Sequence, residues 1–313
     1  MKNASSSSYH FCGAKLMPWH KIDVTVVMHL AVVVMCGSFN PMHVAHIAMY
    51  EAACDTLLNK KYNDNSEKKE ASVSRKNDSK IVVVGGFVSP VNDHYKKEEL
   101  RPFAQRSAIC AASLREHPSL ALDEWEGLQP NYVRTFYVLE HLQESVQRWY
   151  ETDASPNEEQ LAWVRQHPVR VVFLCGGDLF SSFLRPGCWP LELLRKLLDS
   201  FDVLVVRRAG SAGCAEMMRQ QKNGSVLCES VGEADTDNTT INSNNNNNNN
   251  NNNKVLSLDL VAYHFLEAEI FANTISSSMI REILMDNPNA DLRGLVVEGA
   301  ETLVRAYYTD GTL

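Results

Sequence analysis

The chain has 313 residues and a net charge of −8, with 44% hydrophobic and 22% charged residues. That balance is ordinary for a folded domain with a sizeable core. It excludes a broadly basic nucleic-acid binder, whose phosphate contacts demand clustered Lys and Arg. No membrane association is expected either. The longest apolar run, residues 24–36, contains His29 and is shorter than the roughly 20 residues a spanning helix needs.

Residues 1–23 carry Lys2, Lys15, Lys21 and four serines at 5–8 but no Arg, and are expected to form an N-terminal extension. An Arg-rich presequence is therefore poorly matched. An intracellular location in cytoplasm or nucleus is expected, with mitochondrial targeting as the weaker alternative. The eight cysteines show no C-x-x-C spacing, and Cys36 and Cys175 sit in apolar runs. They are expected to be reduced thiols, neither a disulfide scaffold nor a zinc site.

The elements then alternate along the chain. A strand is expected over 31–36, a helix over 43–58, a strand over 81–85 and helices over 103–116 and 132–149. Strands at 169–174 and 202–207 flank a helix at 191–200, and a short strand at 269–271 precedes a helix at 278–285. The β-branched runs at 81–85, 169–174 and 202–207 are nearly continuous rather than alternating. Strands covered by helices on both faces read this way. The class is therefore α/β, a Rossmann-like parallel sheet flanked by helices. The polar stretches 59–80 and 212–254 have little to bury, and residues 244–253 are all Asn. They are expected to be disordered insertions. What remains fits one domain over 24–313.

Sheets of this kind bind ligands beyond the carboxyl ends of their strands, so motifs just after strands carry most weight. The first is Gly37-Ser-Phe-Asn-Pro-Met-His-Val-Ala-His46, entering a helix. His43 and His46 lie three apart and point from one side of its first turn. Free N–H groups at a helix start, together with two imidazoles, suit a phosphate. The motif is neither a Walker A loop nor a G-x-G-x-x-G fingerprint. The second is Ile275-Ser-Ser-Ser-Met-Ile-Arg281. Its serines can cap a helix, and its Arg can pair with phosphate.

Together these motifs resemble those of the nucleotidyltransferase superfamily of T/H-x-G-H enzymes, and within it the eukaryotic type of nicotinamide/nicotinate mononucleotide adenylyltransferase. Ser89-Pro-Val-Asn-Asp-His-Tyr-Lys-Lys97, Leu174-Cys-Gly-Gly-Asp-Leu-Phe-Ser-Ser-Phe183 through Trp189, and Val205-Val-Arg-Arg-Ala-Gly210 carry the same resemblance in family order. It implies a fold of nucleotidyltransferase type. It also implies transfer of the adenylyl group of ATP to nicotinamide or nicotinic acid mononucleotide, giving NAD or its deamido form and pyrophosphate.

The resemblance implies roles residue by residue. Gly37, Ser38 and Phe39 would approach the nucleotide phosphates, with His43 beside them and His46 hydrogen-bonding ATP phosphate. Ser277, Ser278 and Arg281 would hold the β- and γ-phosphates, and Lys97 would contact phosphate. His46, Lys97 and Arg281 would thus carry catalysis by positioning and charge neutralisation. Trp189 and Tyr132 would flank the pyridine ring beside Thr135. Gly176, Asp178, Arg208 and Asn273 would bind the nucleotide. Mg²⁺ is implied as a cofactor held through the ATP phosphates, with no metal-binding side chains assigned. A homo-oligomer is expected.

Three positions depart from the family pattern: His43 for Thr, Tyr132 for Trp, and Arg134 for an acidic residue. The last would favour the acid form of the mononucleotide. The alternatives are a regulatory or chaperone-like protein of the same fold, or another transferase such as phosphopantetheine adenylyltransferase.

Overall fold

The computed structural model describes residues 9–59, 81–221, 225–231, 254–270 and 275–309. In chain order its elements are β1 (His29–Gly37), α1 (Val44–Asn59), β2 (Ile81–Pro90), α2 (Phe103–Leu114), β3 (Leu120–Leu122), α3 (Thr135–Glu151) and α4 (Glu158–Gln166). There follow β4 (Arg170–Gly176), α5 (Gly177–Phe183), α6 (Leu191–Ser200), β5 (Asp202–Arg208), α7 (Cys214–Arg219) and β6 (Val226–Val231). The last are β7 (Lys254–Asp259), β8 (Phe265–Ile270), α8 (Ser277–Asp286) and α9 (Glu301–Tyr308).

Six strands form one parallel sheet in the order β3-β2-β1-β4-β5-β8, and β6 and β7 pair as an antiparallel hairpin. The order reverses direction between β1 and β4, which is where a doubly wound sheet opens a crevice for ligands. Alternate residues of each central strand enter opposite cores. Leu30, Val32 and Val34 of β1, with Val171 and Phe173 of β4, pack under α3, α5 and α6. Ala31, Val33 and Met35, with Val172 and Leu174, pack under α1, α2, α8 and α9. Both faces are dry, so no polar alternation survives in the sequence.

Three expectations are revised. First, residues 9–23 are not an appendage. Leu16, Trp19 and Ile22 are buried in the first core. The Trp19 indole N–H donates to the Tyr150 carbonyl at 3.2 Å, and the Tyr150 hydroxyl donates to Met17 O at 2.7 Å. The register of β1 on β2 skips Val84, a bulge that leaves its carbonyl outside the ladder. The Met17 N–H fills that acceptor at 2.7 Å.

Second, part of 212–254 is regular: α7 and β6 lie in it, and Cys214, Met218 and Leu227 are buried. Its few apolar residues are concentrated where they can be covered, which average polarity conceals. Third, some bounds shift. β8 starts at Phe265 rather than 269, α3 starts at Thr135 rather than 132, and β2 runs on to Pro90. Residues 60–80 and 244–253, most of the expected insertions, lie outside the described residues, as do Phe271 and Asn273.

Trp19→Ala removes a ring seated edge-on against Tyr150 at 5.0 Å between centroids. Urea unfolding is expected to show a loss of about 3–5 kcal/mol, the range for emptying a buried aromatic site. A change within about 0.5 kcal/mol would restore the appendage view.

Candidate active site

A cleft of about 1270 Å³ opens at the carboxyl ends of β1, β4 and β5. Its floor is the turn between β1 and α1. Phe39 there adopts a φ of 42°, a left-handed conformation rare for a bulky side chain. Such strain persists only where surrounding bonds over-determine it, and they do.

Arg106, fully buried on α2, donates from Nη1 to the Ser38 carbonyl at 3.0 Å. It also reaches the carbonyls of Val91 at 2.7 Å and Arg101 at 2.6 Å, and the Asp93 carboxylate at 3.0 Å. Arg281 Nη1 donates to the Asn40 carbonyl at 2.9 Å, and Ser277 Oγ donates to the Pro41 carbonyl at 2.8 Å. Three carbonyls of the turn are thus taken up from α2 and α8. The buried Asn40 amide donates to Glu99 O at 2.8 Å and accepts from the Tyr308 hydroxyl at 2.5 Å, which ties α9 to the turn.

His43 and His46 stack on the first turn of α1 with ring centroids 3.8 Å apart. Burial drives both basicities down, to about 2 for His43 and about 4 for His46. Both are therefore neutral at pH 7, which leaves His46 a hydrogen-bonding role and takes it out of the expected charge neutralisation. The His43 backbone N–H donates to His46 Nδ1 at 3.1 Å. A neutral ring whose Nδ1 accepts must carry its proton on Nε2. His46 can accordingly offer an N–H to an anion.

Positive charge comes from elsewhere. Lys97 donates to Ser38 Oγ at 3.0 Å. Its ammonium is made less basic by burial, then by the charges of Arg281 and Arg106. Arg208, on the cleft wall at the end of β5, acts on His43 in the same sense. Four cations thus surround one turn.

The cleft gathers most of the expected site residues. Gly37, Ser38, Phe39, His43, His46, Lys97, Tyr132, Thr135, Gly176, Asp178, Trp189, Arg208 and Ser277 all line it. Ser278 and Arg281 do not. Arg281 stands behind the turn, where Glu99 pairs with it at 3.1 Å and Ser278 Oγ lies 3.4 Å away. Asn273 lies outside the described residues. A side chain at Gly176 would meet Met49 at 3.7 Å, an ordinary contact, and one at Gly177 would meet nothing within 4 Å. Protein packing therefore does not demand either glycine, and close approach of a ligand would.

Aromatic rings also line the cleft. Tyr132 faces Tyr95 at 5.5 Å, and the Arg134 guanidinium lies over the Tyr132 ring at 5.4 Å. Trp189 is fixed edge-on to Phe183 at 4.9 Å, and its indole N–H donates to Ser182 Oγ at 2.8 Å.

Sequence reading missed Arg106 and Asn40 behind the turn, and Tyr95, Glu126, Met217 of α7 and Gln220 just after it at the cleft wall. Arg106 had a signal, a charge on the stripe shared by Phe103 and Cys110. Trp125 stacks on His141 at 4.1 Å beside Tyr9, away from the cleft lining. Glu126 accepts from Ser89 Oγ at 3.2 Å, and burial pushes its carboxyl up to about 8. Gly127 beside it admits no Cβ, which would fall 1.8 Å from the Phe103 ring.

No family model matches the chain. Fold and cleft define a class, a doubly wound α/β protein with a nucleotide-sized site at its switch point. Within that class, the chain is similar to curated mononucleotide adenylyltransferases. It is 34% identical over 181 residues to the nicotinamide/nicotinic acid mononucleotide adenylyltransferase of Schizosaccharomyces pombe, covering 58% of this chain and 43% of that one. It is 34% identical over 179 residues to the protein of that name from Arabidopsis thaliana, covering 57% and 62%. Against nicotinamide/nicotinic acid mononucleotide adenylyltransferase 1 of Saccharomyces cerevisiae it is 33% identical over 181 residues, covering 58% and 39%. The chain thus spans less than two thirds of the length of these relatives.

Asp123, buried next to Glu126, has its carboxyl raised to about 6, mainly by burial. A carboxyl easier to ionise unfolded than folded costs stability as pH rises between its two pKa values. Stability should therefore fall from about pH 4 to 6 through Asp123 and on to about 8 through Glu126. Glu126→Gln is expected to flatten the upper part of that decline in denaturation curves. A profile identical to the wild type would show that Glu126 ionises normally.

Proposed function

We propose that this chain transfers the adenylyl group of ATP to nicotinamide mononucleotide, nicotinic acid mononucleotide or both, forming the dinucleotide and pyrophosphate. The observation that carries the reading is the make-up of the cleft. One lining combines Lys97, Arg208 and the His46 Nε2–H with the aromatic rings of Tyr95, Tyr132 and Trp189. Its volume of about 1270 Å³ exceeds the usual range of roughly 300–1,000 Å³ for one small ligand. Two phosphorylated substrates, one with a flat ring, match that shape. The names of the relatives match it too.

The reaction joins an oxygen of the mononucleotide phosphate to the α-phosphorus of ATP and breaks the bond to the pyrophosphate oxygen. No covalent enzyme intermediate is needed, so alignment and charge stabilisation carry the rate. His46 gives its Nε2–H to a phosphate oxygen, and Lys97 and Arg208 offset negative charge. Arg281, with Ser277, keeps the turn rigid. Among the described residues no three metal-ligating side chains cluster. A divalent ion such as Mg²⁺ would enter on the triphosphate and supply further charge neutralisation. Of the two carboxylates on the wall, Glu126 is held largely protonated, which leaves Asp178 to meet the ion.

Arg134 bears on the choice of mononucleotide. No carboxylate pairs with it among the described residues, and it lies over the ring face of Tyr132. A nicotinate carboxylate beside Tyr132 would be its natural partner.

Chromatographic assay of dinucleotide from Mg-ATP and each mononucleotide tests both points. The wild type should make product, and His46→Ala should lower kcat at least about 100-fold, as loss of a transition-state donor does. Arg134→Ala should lower kcat/KM for the acid form about tenfold, the worth of one charge-assisted hydrogen bond. It should leave the amide form within about threefold. Absence of product from the wild type would end the reading, and equal losses on both nucleotides would end the role of Arg134.

A further inference from the structure

The hairpin of β6 and β7 stands apart from the main sheet and packs on α6. Three side-chain bonds fasten the two together at successive four-residue steps of that helix. Glu229 Oε2 accepts from the Leu191 N–H at 2.8 Å. Arg195 donates to the Ser257 carbonyl. The Tyr263 hydroxyl, just past the hairpin, donates to the Asp199 carboxylate at 2.9 Å. Arg195 and Asp199 lie four apart on one helix face, where both side chains make these bonds. Leu191, Leu194 and Leu197 are buried in the core, and position 191 joins through its backbone N–H.

The first of these bonds falls at a decisive place. Leu191 opens α6, and its N-cap, Pro190, makes no side-chain capping bond. A helix start needs acceptors for its free N–H groups and favours negative charge there. Glu229 provides both from another element. Trp189 is two residues before the capped amide. Its ring is held on one side by Ser182 and Phe183 of α5, and its backbone runs straight into the amide that Glu229 holds.

We propose that Glu229 is a positioning residue for Trp189, so that the hairpin sets an aromatic platform for the mononucleotide. The assignment rests on the proposed function only in taking Trp189 as a mononucleotide contact. The hairpin strands are joined through residues 232–253, which include the Asn run. The sequence most readily dismissed as an insertion is therefore attached to an element that holds a substrate contact.

Two measurements on the full chain test this. In steady-state kinetics, Glu229→Ala should raise KM for the mononucleotide at least fivefold and leave kcat and KM for ATP within twofold. Glu229→Gln keeps the acceptor and should recover most of the loss. Unchanged mononucleotide KM, or an equal rise in both KM values, would overturn the proposal. In ¹⁹F NMR of protein carrying 5-fluorotryptophan, the Trp189 line is identified by its absence in Trp189→Phe. Glu229→Ala should shift or broaden that line while the lines of the other tryptophans stay in place. An unmoved Trp189 line would overturn the proposal, and a shift of every line would overturn it as general unfolding. The spectrum needs no turnover, so an inactive wild type would count against the proposed function alone.

Discussion

The cleft depends on where the carbonyl groups of the turn after β1 go. A turn that presents N–H groups to an anion has to turn its carbonyls into the protein, where each needs a donor. Arg106 takes the carbonyl of Ser38, Arg281 that of Asn40 and Ser277 that of Pro41. The donors come from α2 and α8, elements far apart in sequence. Tyr308 of α9 adds a bond to the Asn40 side chain. The turn is therefore an assembled object, and the strained φ of Phe39 is held by the whole second core.

The electrostatics follow the same division. The two histidines are neutral because burial penalises their charge. Glu126 is kept protonated for the same reason. Fixed charge is left to Lys97, Arg106, Arg208 and Arg281; burial, then the charges of Arg281 and Arg106, lowers the basicity of Lys97. An anion bound there would relieve that repulsion, with the two histidines already neutral. The net charge of −8 says nothing of this, since only Glu126 and Asp178 among the described carboxylates line the cleft.

Much of this arrangement was legible in the sequence, for physical reasons that differ by element. The central strands declared themselves because both faces are dry, and runs such as 169–174 could not alternate. The motifs at 37–46 and 275–281 were legible because a tight turn into a helix start and a serine-capped helix restrict both residue type and spacing. Arg106 was not, since a single Arg in a helix does not reveal that four acceptors in three segments converge on it. Trp19 was hidden by its neighbours, because its burial depends on a bulge in β2 and on Tyr150 of α3. The hairpin was hidden by the Asn run, which pulled the local composition towards disorder. Arg281 was expected at the phosphates, and the structure places it behind the turn rather than on the cleft wall.

The central claim is that donors behind the turn make it a phosphate site. Calorimetric titration with a non-hydrolysable ATP analogue tests it on the wild type and on Arg106→Lys. The lysine keeps the charge but lacks the planar fork that reaches several acceptors at once. The account predicts one site per wild-type chain and at least tenfold weaker binding by an Arg106→Lys protein that still melts cooperatively. Unchanged affinity in a folded Arg106→Lys protein would contradict it.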